Sequence, residues 1–160
     1  MALASACGGG GTADEPSRLR ATIARPHADS VFFTVPAVAH RCSGGGSSLL
    51  LQAADESGDG VLALVRRGDS LANGSFPLIL LGDSITQRGA NVAVRYMKVD
   101  MAHGLSLDSG AVELTVAADG LAGRVRGSGL ESGVRATLDA VFAGVPLPPP
   151  SDTVPCRFVP

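Results

Sequence analysis

The chain has 160 residues, of which 45% are apolar and only 4% aromatic, and its formal charge is −2. This length suits a single domain with an aliphatic core. The interspersed charges offer no basic face, so nucleic acid is excluded as an expected partner. The sequence contains no apolar run of the roughly 18 residues that a membrane-spanning helix needs, and its 21 glycines disfavour long helices.

The N-terminus places small residues before a cysteine, Leu3-Ala4-Ser5-Ala6-Cys7, and four glycines follow. This pattern resembles the lipobox of bacterial lipoproteins, whose cysteine is lipidated and becomes the first residue of the mature chain. The resemblance implies export, lipidation of Cys7 and anchoring to the bacterial cell envelope, on the periplasmic or surface-facing side. Residues 1–17 would then be an anchor and a flexible tether, because glycine-rich chains behave as random coils. An unmodified terminus with an idle thiol is the alternative.

The first half of the chain alternates apolar and polar residues over short stretches bounded by turn residues. Such period-two alternation predicts strands with one face in a core and the other in water. A hairpin is expected over residues 48–66, around the acidic turn at 55–60. Pro36 should interrupt the second strand, because proline cannot donate a ladder hydrogen bond. The strands predicted in this half cover residues 18–24, 30–35, 37–42, 48–54, 61–66 and 76–81.

Two runs near the middle of the chain carry a possible catalytic signature. They are Gly82-Asp83-Ser84-Ile85 and Asp100-Met101-Ala102-His103. They resemble the first and last blocks of the GDSL/SGNH hydrolases. The resemblance implies a serine esterase or lipase in which Ser84 attacks, His103 is the base and Asp100 orients His103.

The same region has a purely structural interpretation. The SGNH family builds its site on strands that alternate with helices, and no such alternation is visible in this sequence. A Gly-Asp turn between two strands also explains the first run. Gly89-Ala90-Asn91 resembles part of the family block that supplies an oxyanion-hole asparagine. We keep the esterase as the alternative function.

The C-terminal half shows the clearest alternation, with every second residue apolar over residues 134–142. Residues 121–126 alternate in the same way and should pair with them. The glycine-rich stretch 127–133 between them is predicted as a turn, because glycine adopts positive φ without strain. The strands predicted in this half cover residues 90–98, 105–107, 111–117, 121–126 and 134–142.

Together these elements predict an all-β domain over residues 18–145. About eight to ten short strands with turns between them are typical of an antiparallel β-sandwich or a flattened barrel. Residues 146–160 should form a proline-rich C-terminal tail that Cys156 pins to the domain.

Cys42 and Cys156 are the two cysteines inside or beside this domain. Export would bring them into an oxidising compartment, where we expect them to form a disulfide. The alternative is two reduced thiols that behave as small buried hydrophobes.

The sequence therefore predicts a lipid-anchored envelope protein that is a non-catalytic binding or structural module. Its partners would be the membrane, through the N-terminal lipid, and an unknown protein or small-molecule ligand. A carrier with a ligand in a barrel lumen is a further possibility. No pair among His27, His40 and His103 has a characteristic ligand spacing, so neither a metal nor another cofactor is predicted.

Overall fold

The computed structural model describes residues 17–43, 48–67, 73–83 and 85–156, apart from the side chain of Arg67. Within these ranges every regular element is a β-strand, which confirms the predicted all-β class. In chain order the strands are β1 (Arg18–Ala24), β2 (Val31–Cys42), β3 (Leu49–Ala54), β4 (Gly60–Arg67), β5 (Gly74–Pro77), β6 (Arg88–Lys98), β7 (Met101–Ala117), β8 (Gly120–Glu131), β9 (Val134–Val145) and β10 (Thr153–Val154).

Eight of these strands close into an antiparallel barrel. Their order is β1-β9-β8-β7-β6-β4-β3-β2, and β2 returns to pair with β1. β5 pairs with residues 111–114 of β7, the half of that strand that β6 does not reach. Closure pairs the strands around the whole ring and removes the long unpaired edges of an open sheet.

Aliphatic side chains fill the barrel, because alternate residues of each strand point inward. An eight-stranded barrel is just wide enough for side chains to fill it. Nearly all of the buried apolar residues form one continuous cluster, so the interior is a packed core rather than the lumen of a carrier. Its largest fully buried side chains include Leu19, Ile23, Val35, Leu49, Val65, Phe76, Val92, Val112, Leu121, Val125 and Phe142.

β2 runs through Pro36, where the sequence predicted an interruption. Before this point β2 pairs with β1, and Pro36 lies opposite Arg18 at the end of that ladder. Pairing with β3 begins at the next residue, Ala37. The strand changes neighbours at the proline, so the missing N–H falls at a junction between two ladders.

The stretch 127–133 was predicted as a turn and is mostly strand. β8 continues to Glu131, and the turn to β9 is only Ser132-Gly133, where both residues have positive φ (49° and 82°). A Cβ added to Gly127 would meet the carbonyl oxygen of Ser109 at 2.5 Å and the Cδ1 of Leu78 at 2.6 Å. A side chain would not fit at this position, so Gly127 is needed for close packing. The prediction had assigned it to a turn.

The antiparallel order gives the barrel two distinct ends. We call the end that holds Arg18, Cys42 and the β7–β8 turn the proximal end, because the described chain enters there. The distal end holds Ala24, the Val99-Asp100 turn and the Ser132-Gly133 turn. The position of a residue along its strand therefore shows at which end of the barrel it lies.

The C-terminal segment is fixed at the proximal end. Cys42 and Cys156 form a disulfide with a Cα–Cα distance of 5.2 Å, as predicted. Next to it, β10 lies parallel to the end of β2. The Nε of Arg41 donates to the carbonyl of Pro148 at 3.0 Å. In the described ranges no helix has the length and apolar character that crossing a membrane requires.

Candidate functional site

Three inward positions at the distal end break the apolar pattern of the barrel wall. They are Tyr96 on β6, His103 on β7 and Glu131 on β8, three strands that are neighbours in the barrel. Tyr96 lies directly opposite His103 in the β6–β7 register. Alternation places each of them in line with buried aliphatic residues of its own strand. We call these three residues together with Arg25, which follows β1, the distal cluster.

Glu131 is the centre of the distal cluster. Its side chain is only 4% exposed, although carboxylates are seldom buried without partners. The Tyr96 hydroxyl lies 2.8 Å and 2.9 Å from the two carboxylate oxygens and donates its proton between them. Such a charge-assisted hydrogen bond offsets part of the free energy lost when the carboxylate leaves water.

His103 also contacts the Glu131 carboxylate. Its Nδ1 lies 2.7 Å from Oε1 of Glu131 and acts as the donor when it carries the ring proton. The imidazole stacks on the Tyr96 ring with centroids 5.1 Å apart and planes 13° apart. No side chain in the described ranges bonds the other ring nitrogen, Nε2. Because the ring is 22% exposed, part of it is open to solvent and to ligands.

Arg25 approaches Glu131 from the end of β1, which only β9 separates from β8 in the barrel order. One terminal nitrogen, Nη1, lies 3.4 Å from Oε2 of Glu131, which is long for a charge-assisted bond. The guanidinium carbon lies 6.0 Å from the centre of the Tyr96 ring. The Nε of Arg25 is buried and has no hydrogen-bond partner within the described structure. The positive charge is thus held near the carboxylate with hydrogen-bonding capacity unused.

The environment of Tyr96 raises the pKa of its phenol to about 12. Burial is the main cause, because it penalises the phenolate, and the adjacent Glu131 adds to the effect. Arg25 opposes this shift weakly. Tyr96 therefore remains a hydrogen-bond donor throughout the physiological pH range.

A pocket of about 280 Å³ opens onto the distal cluster. Arg25, His103 and Glu131 supply its charged and titratable groups. Its remaining walls come from the β1–β2 and β8–β9 connections and from the first residue of β9, and they are mainly apolar. They are formed by Pro26, Ala28, Ser132 and Val134. A small apolar hollow with a few convergent polar groups is typical of a ligand site. Such sites usually have volumes of roughly 300–1,000 Å³, so this pocket is at the small end.

A larger concavity of about 780 Å³ lies on the outer wall, next to Phe32 and Val141. Two of its charged groups, Arg124 and Asp139, already pair with each other, since Arg124 binds Asp139 through two nitrogens at 2.7 Å and 2.5 Å. We therefore regard the smaller distal pocket as the better candidate site, because its polar groups have unused bonding capacity.

A contribution to stability is a weak explanation for the presence of these polar residues in the barrel. Buried ion pairs are often matched or exceeded in stability by apolar residues of similar volume. Apart from Tyr96 and Glu131, every buried residue of the barrel strands within the described ranges is apolar or glycine except Asn91. Asn91 alternates with the inward Ala90 and Val92, so it lies on the outer face of the wall. Departures from a consistent pattern concentrate at functional sites. The position of this one beside a pocket marks the distal end as the candidate functional site.

The predicted esterase residues are placed differently from a catalytic triad. Ser84 lies outside the described residues. His103 pairs with Glu131 and not with Asp100, which lies in the β6–β7 turn with φ of 59°. Asn91 is buried, and its Nδ2 donates to the carbonyl oxygens of Ile79 and Leu80 at 3.0 Å and 3.1 Å.

The residues on either side of Ser84 belong to the proximal end. Arg66 donates to the carbonyl oxygens of Asp83 and Thr86, and Arg66 pairs with Gly89 across the β4–β6 ladder. From there to the level of His103 is about seven strand residues, or roughly 23 Å. The esterase stays an untested prediction to which the described geometry adds no support.

Asp83 shows what the Gly-Asp-Ser run does structurally. Its carboxylate accepts hydrogen bonds from the backbone N–H of Ile85 and from both the N–H and the hydroxyl of Thr86, at 2.5–2.9 Å. These bonds lower the pKa of Asp83 to about 2, with the Thr86 hydroxyl as the largest cause. This is the Asx-turn chemistry of a loop.

Of the other predicted sites, Cys7 lies outside the described residues. Among those described, no three or more histidine, cysteine, aspartate or glutamate side chains are arranged to hold a metal ion. Sequence reasoning missed Arg25, Tyr96 and Glu131. The signal for Glu131 was present, because it continues the inward series of Val125, but the predicted turn ended that series too early.

The fold and the site define a closed eight-stranded β-barrel with a polar cluster at one mouth. No protein-family model matches this chain, and comparisons with curated proteins and with solved structures give no match. The distal cluster must therefore be interpreted from its own chemistry.

Proposed function

We propose that this protein is a non-catalytic binding module that takes a small, mainly apolar organic molecule into the distal pocket. The observation that carries the proposal is the buried Glu131 carboxylate held by three donors beside a pocket. The cluster fixes His103 and Arg25 in place, and the apolar walls would accept the body of the ligand. Preorganised polar groups of this kind orient a ligand and provide its specificity.

The proposal can be tested by NMR with two probes of the same shape, benzoate and benzyl alcohol. We expect either probe to shift the backbone amide signals of Ala28, His103, Ser132 and Val134. Shifts confined to the outer wall near Phe32 would place binding elsewhere, and the absence of any shift would count against the pocket.

A matched pair of variants separates occlusion of the pocket from general damage. Ala28→Phe puts a large side chain at the pocket mouth, and Ala118→Phe puts the same side chain in an exposed turn at the proximal end. Binding of benzyl alcohol should weaken at least roughly tenfold in Ala28→Phe, since the phenylalanine ring competes for the pocket. Ala118→Phe should bind as the wild type does.

We further propose that the module is lipid-anchored to the bacterial cell envelope through Cys7. The lipobox-like Leu3–Cys7 run and the Cys42–Cys156 disulfide support this proposal, because disulfides persist mainly in oxidising compartments. A tether at the N-terminus would lead into the proximal end of the barrel and leave the distal pocket facing away from the membrane.

The intact mass of the protein extracted from bacterial membranes tests the anchor. A mass increase that maps to Cys7, together with loss of the preceding residues, is the expected result. An unmodified chain that still begins at Met1 would refute lipidation, and it would leave the proposed ligand binding untouched.

A further inference from the structure

We propose that the ligand of the distal pocket is a small carboxylic acid, bound as its carboxylate together with one proton that His103 takes up. This inference rests on the proposed binding function and specifies its chemistry. It follows from the charges in the distal cluster and from the hydrogen-bonding capacity that these groups leave unused.

The charges of the distal cluster balance without a ligand. Glu131 is negative and Arg25 is positive, so the cluster is neutral when the His103 ring is neutral. The groups that face His103 are Tyr96 from β6, Glu131 from β8 and Arg25 from the end of β1. Tyr96 stays neutral at ordinary pH. An added carboxylate would leave one uncompensated charge in a largely buried site, which is energetically unfavourable.

Protonation of His103 removes that imbalance. With its Nδ1 proton directed at Glu131, the ring presents Nε2 as its second site. A proton on Nε2 makes the ring a cation that lies between two carboxylates, one from Glu131 and one from the ligand. Histidine is the side chain that ordinarily changes its charge within the physiological pH range.

The proton transfer is balanced in both routes of binding. If the ligand arrives as a carboxylate, the lone pair of Nε2 takes a proton from solvent and no bond of the ligand breaks. If the ligand arrives as the neutral acid, its O–H bond breaks, the electron pair stays on oxygen and the proton passes to Nε2. Both routes end with an N–H that donates to the carboxylate.

Arg25 provides the second reason to choose an anion. Its long contact to Glu131, at 3.4 Å, and its unpartnered, buried Nε show a guanidinium whose donors are poorly used. An unsatisfied buried donor carries a free-energy penalty that a new acceptor can relieve. Guanidinium is also the group that best matches the geometry of a carboxylate.

The remaining walls of the pocket restrict the body of the acid. Pro26, Ala28 and Val134 present apolar surface, and Ser132 is the other polar residue lining the pocket besides the distal cluster. A volume of about 280 Å³ suits a short aliphatic or single-ring acid. Benzoate is therefore a suitable probe, and benzyl alcohol is its neutral counterpart.

Calorimetry in paired buffers of different ionisation enthalpy tests the inference, with HEPES and Tris at about pH 8 and MES and piperazine at about pH 5. At about pH 8, where histidine is ordinarily neutral, benzoate binding should take up about one proton per site. At about pH 5, where histidine is ordinarily charged, the uptake should disappear. Between these limits the affinity should fall with rising pH as the proton uptake grows, and the fall should reach about tenfold per pH unit near pH 8.

The controls distinguish the ligand chemistry from binding itself. Benzyl alcohol should bind without proton uptake and without this pH dependence. His103→Gln keeps a hydrogen-bonding amide but cannot take up a proton, so its benzoate affinity should be independent of pH in this range. Benzoate that binds the wild type without taking up a proton would overturn the inference and leave the proposed function standing. Failure of both probes to bind would overturn both.

Discussion

Single residues of the distal end decide whether the barrel is only a scaffold or also carries a site. Tyr96, His103 and Glu131 occupy positions that the alternation reserves for apolar side chains. The hydrogen bonds among these residues offset the free-energy cost of removing their polar groups from water. The loss of one side chain would therefore leave the others with unpaired polar groups. Arg25 adds a charge whose bonding is incomplete. The consequence is a small group of residues whose properties can be measured individually.

Tyr96 is the only tyrosine in the chain, so absorbance reports its ionisation directly. We expect no phenolate near pH 10, the ordinary value, and a midpoint near the raised pKa of about 12. Because the folded pKa is raised, the stability linked to this group is fully present below about pH 10. It is lost as pH rises towards 12.

Glu131→Gln tests the cause of that shift. It removes the charge that disfavours the phenolate and leaves the burial, so the midpoint should fall yet stay above 10. A folded wild-type protein that titrates near the ordinary value would contradict the buried hydrogen bond between Tyr96 and Glu131.

Among the strands, β8 carries three glycines at inward positions where a side chain would not fit. Gly123, Gly127 and Gly129 lie on its inward face, where the neighbouring backbone and the Phe142 and Leu78 side chains leave no room for a Cβ. The sequence prediction interpreted two of these glycines as turn residues, because composition does not distinguish a turn from a crowded strand. Only the packing against β7 and β9 shows which applies.

Gly129→Ala should therefore destabilise the barrel by about 1–3 kcal/mol, the usual range for overpacking. The added methyl group would press on the carbonyl of Ser106 and lie 3.1 Å from the Cα of Leu107. Gly104→Ala on β7 is the matched control, because its Cβ would have only one neighbour, at 3.4 Å. Urea unfolding measures both variants, and equal effects would argue against the close approach.

The β6–β7 turn contains a residue whose backbone conformation is unfavourable for its side chain. Val99 has φ of 47° and is 87% exposed, so a β-branched residue adopts a left-handed conformation without gaining burial. This conformation costs about 1–2 kcal/mol for most residues, and asparagine tolerates it better. The turn lies at the distal end, close in sequence to His103.

Val99→Asn should stabilise the protein by about 1 kcal/mol for this reason. The same substitution at Val141, an exposed residue of β9, serves as the control. There it should reduce stability slightly, because asparagine is disfavoured in strands. Thermal unfolding distinguishes the two, and a loss of stability in Val99→Asn would show that the turn has another conformation.

On the scale of the whole molecule, strand pairing closes the barrel and a covalent bond fixes the C-terminal tail to it. The β1–β2 ladder joins the two ends of the sheet order. The Cys42–Cys156 disulfide joins residues 114 positions apart and fixes the tail beside β2. The disulfide lies at the proximal end, far from the distal cluster, so the site should be insensitive to the bond itself.

Removal of the disulfide should lower the free energy of unfolding by up to about 4.7 kcal/mol, the chain-entropy value for a long loop. The Cys42→Ala, Cys156→Ala variant, made together with Cys7→Ser to prevent thiol exchange, is compared with Cys7→Ser alone by guanidinium unfolding. The tyrosine titration should be unchanged in the folded state. Equal stability of the two proteins would show that the bond does not constrain the unfolded chain.

The alternation of side chains determined most of the barrel in advance. It is a local property, because each strand needs only its own residues to show which face is buried. Hairpins such as β3–β4 follow from the same pattern, since a short turn brings the two strands together. The Cys42–Cys156 pair was also predictable, because only these two cysteines lie inside or beside the domain.

Only the tertiary structure decided where the polar groups meet. Tyr96 and Glu131 are 35 positions apart, and His103 and Glu131 are 28 apart, so their contact depends on the register of three strands. Register and closure are set by packing over the whole barrel, and a shift of one residue would turn each side chain to the other face. The sequence holds the residues of the site, and the closed sheet brings them together.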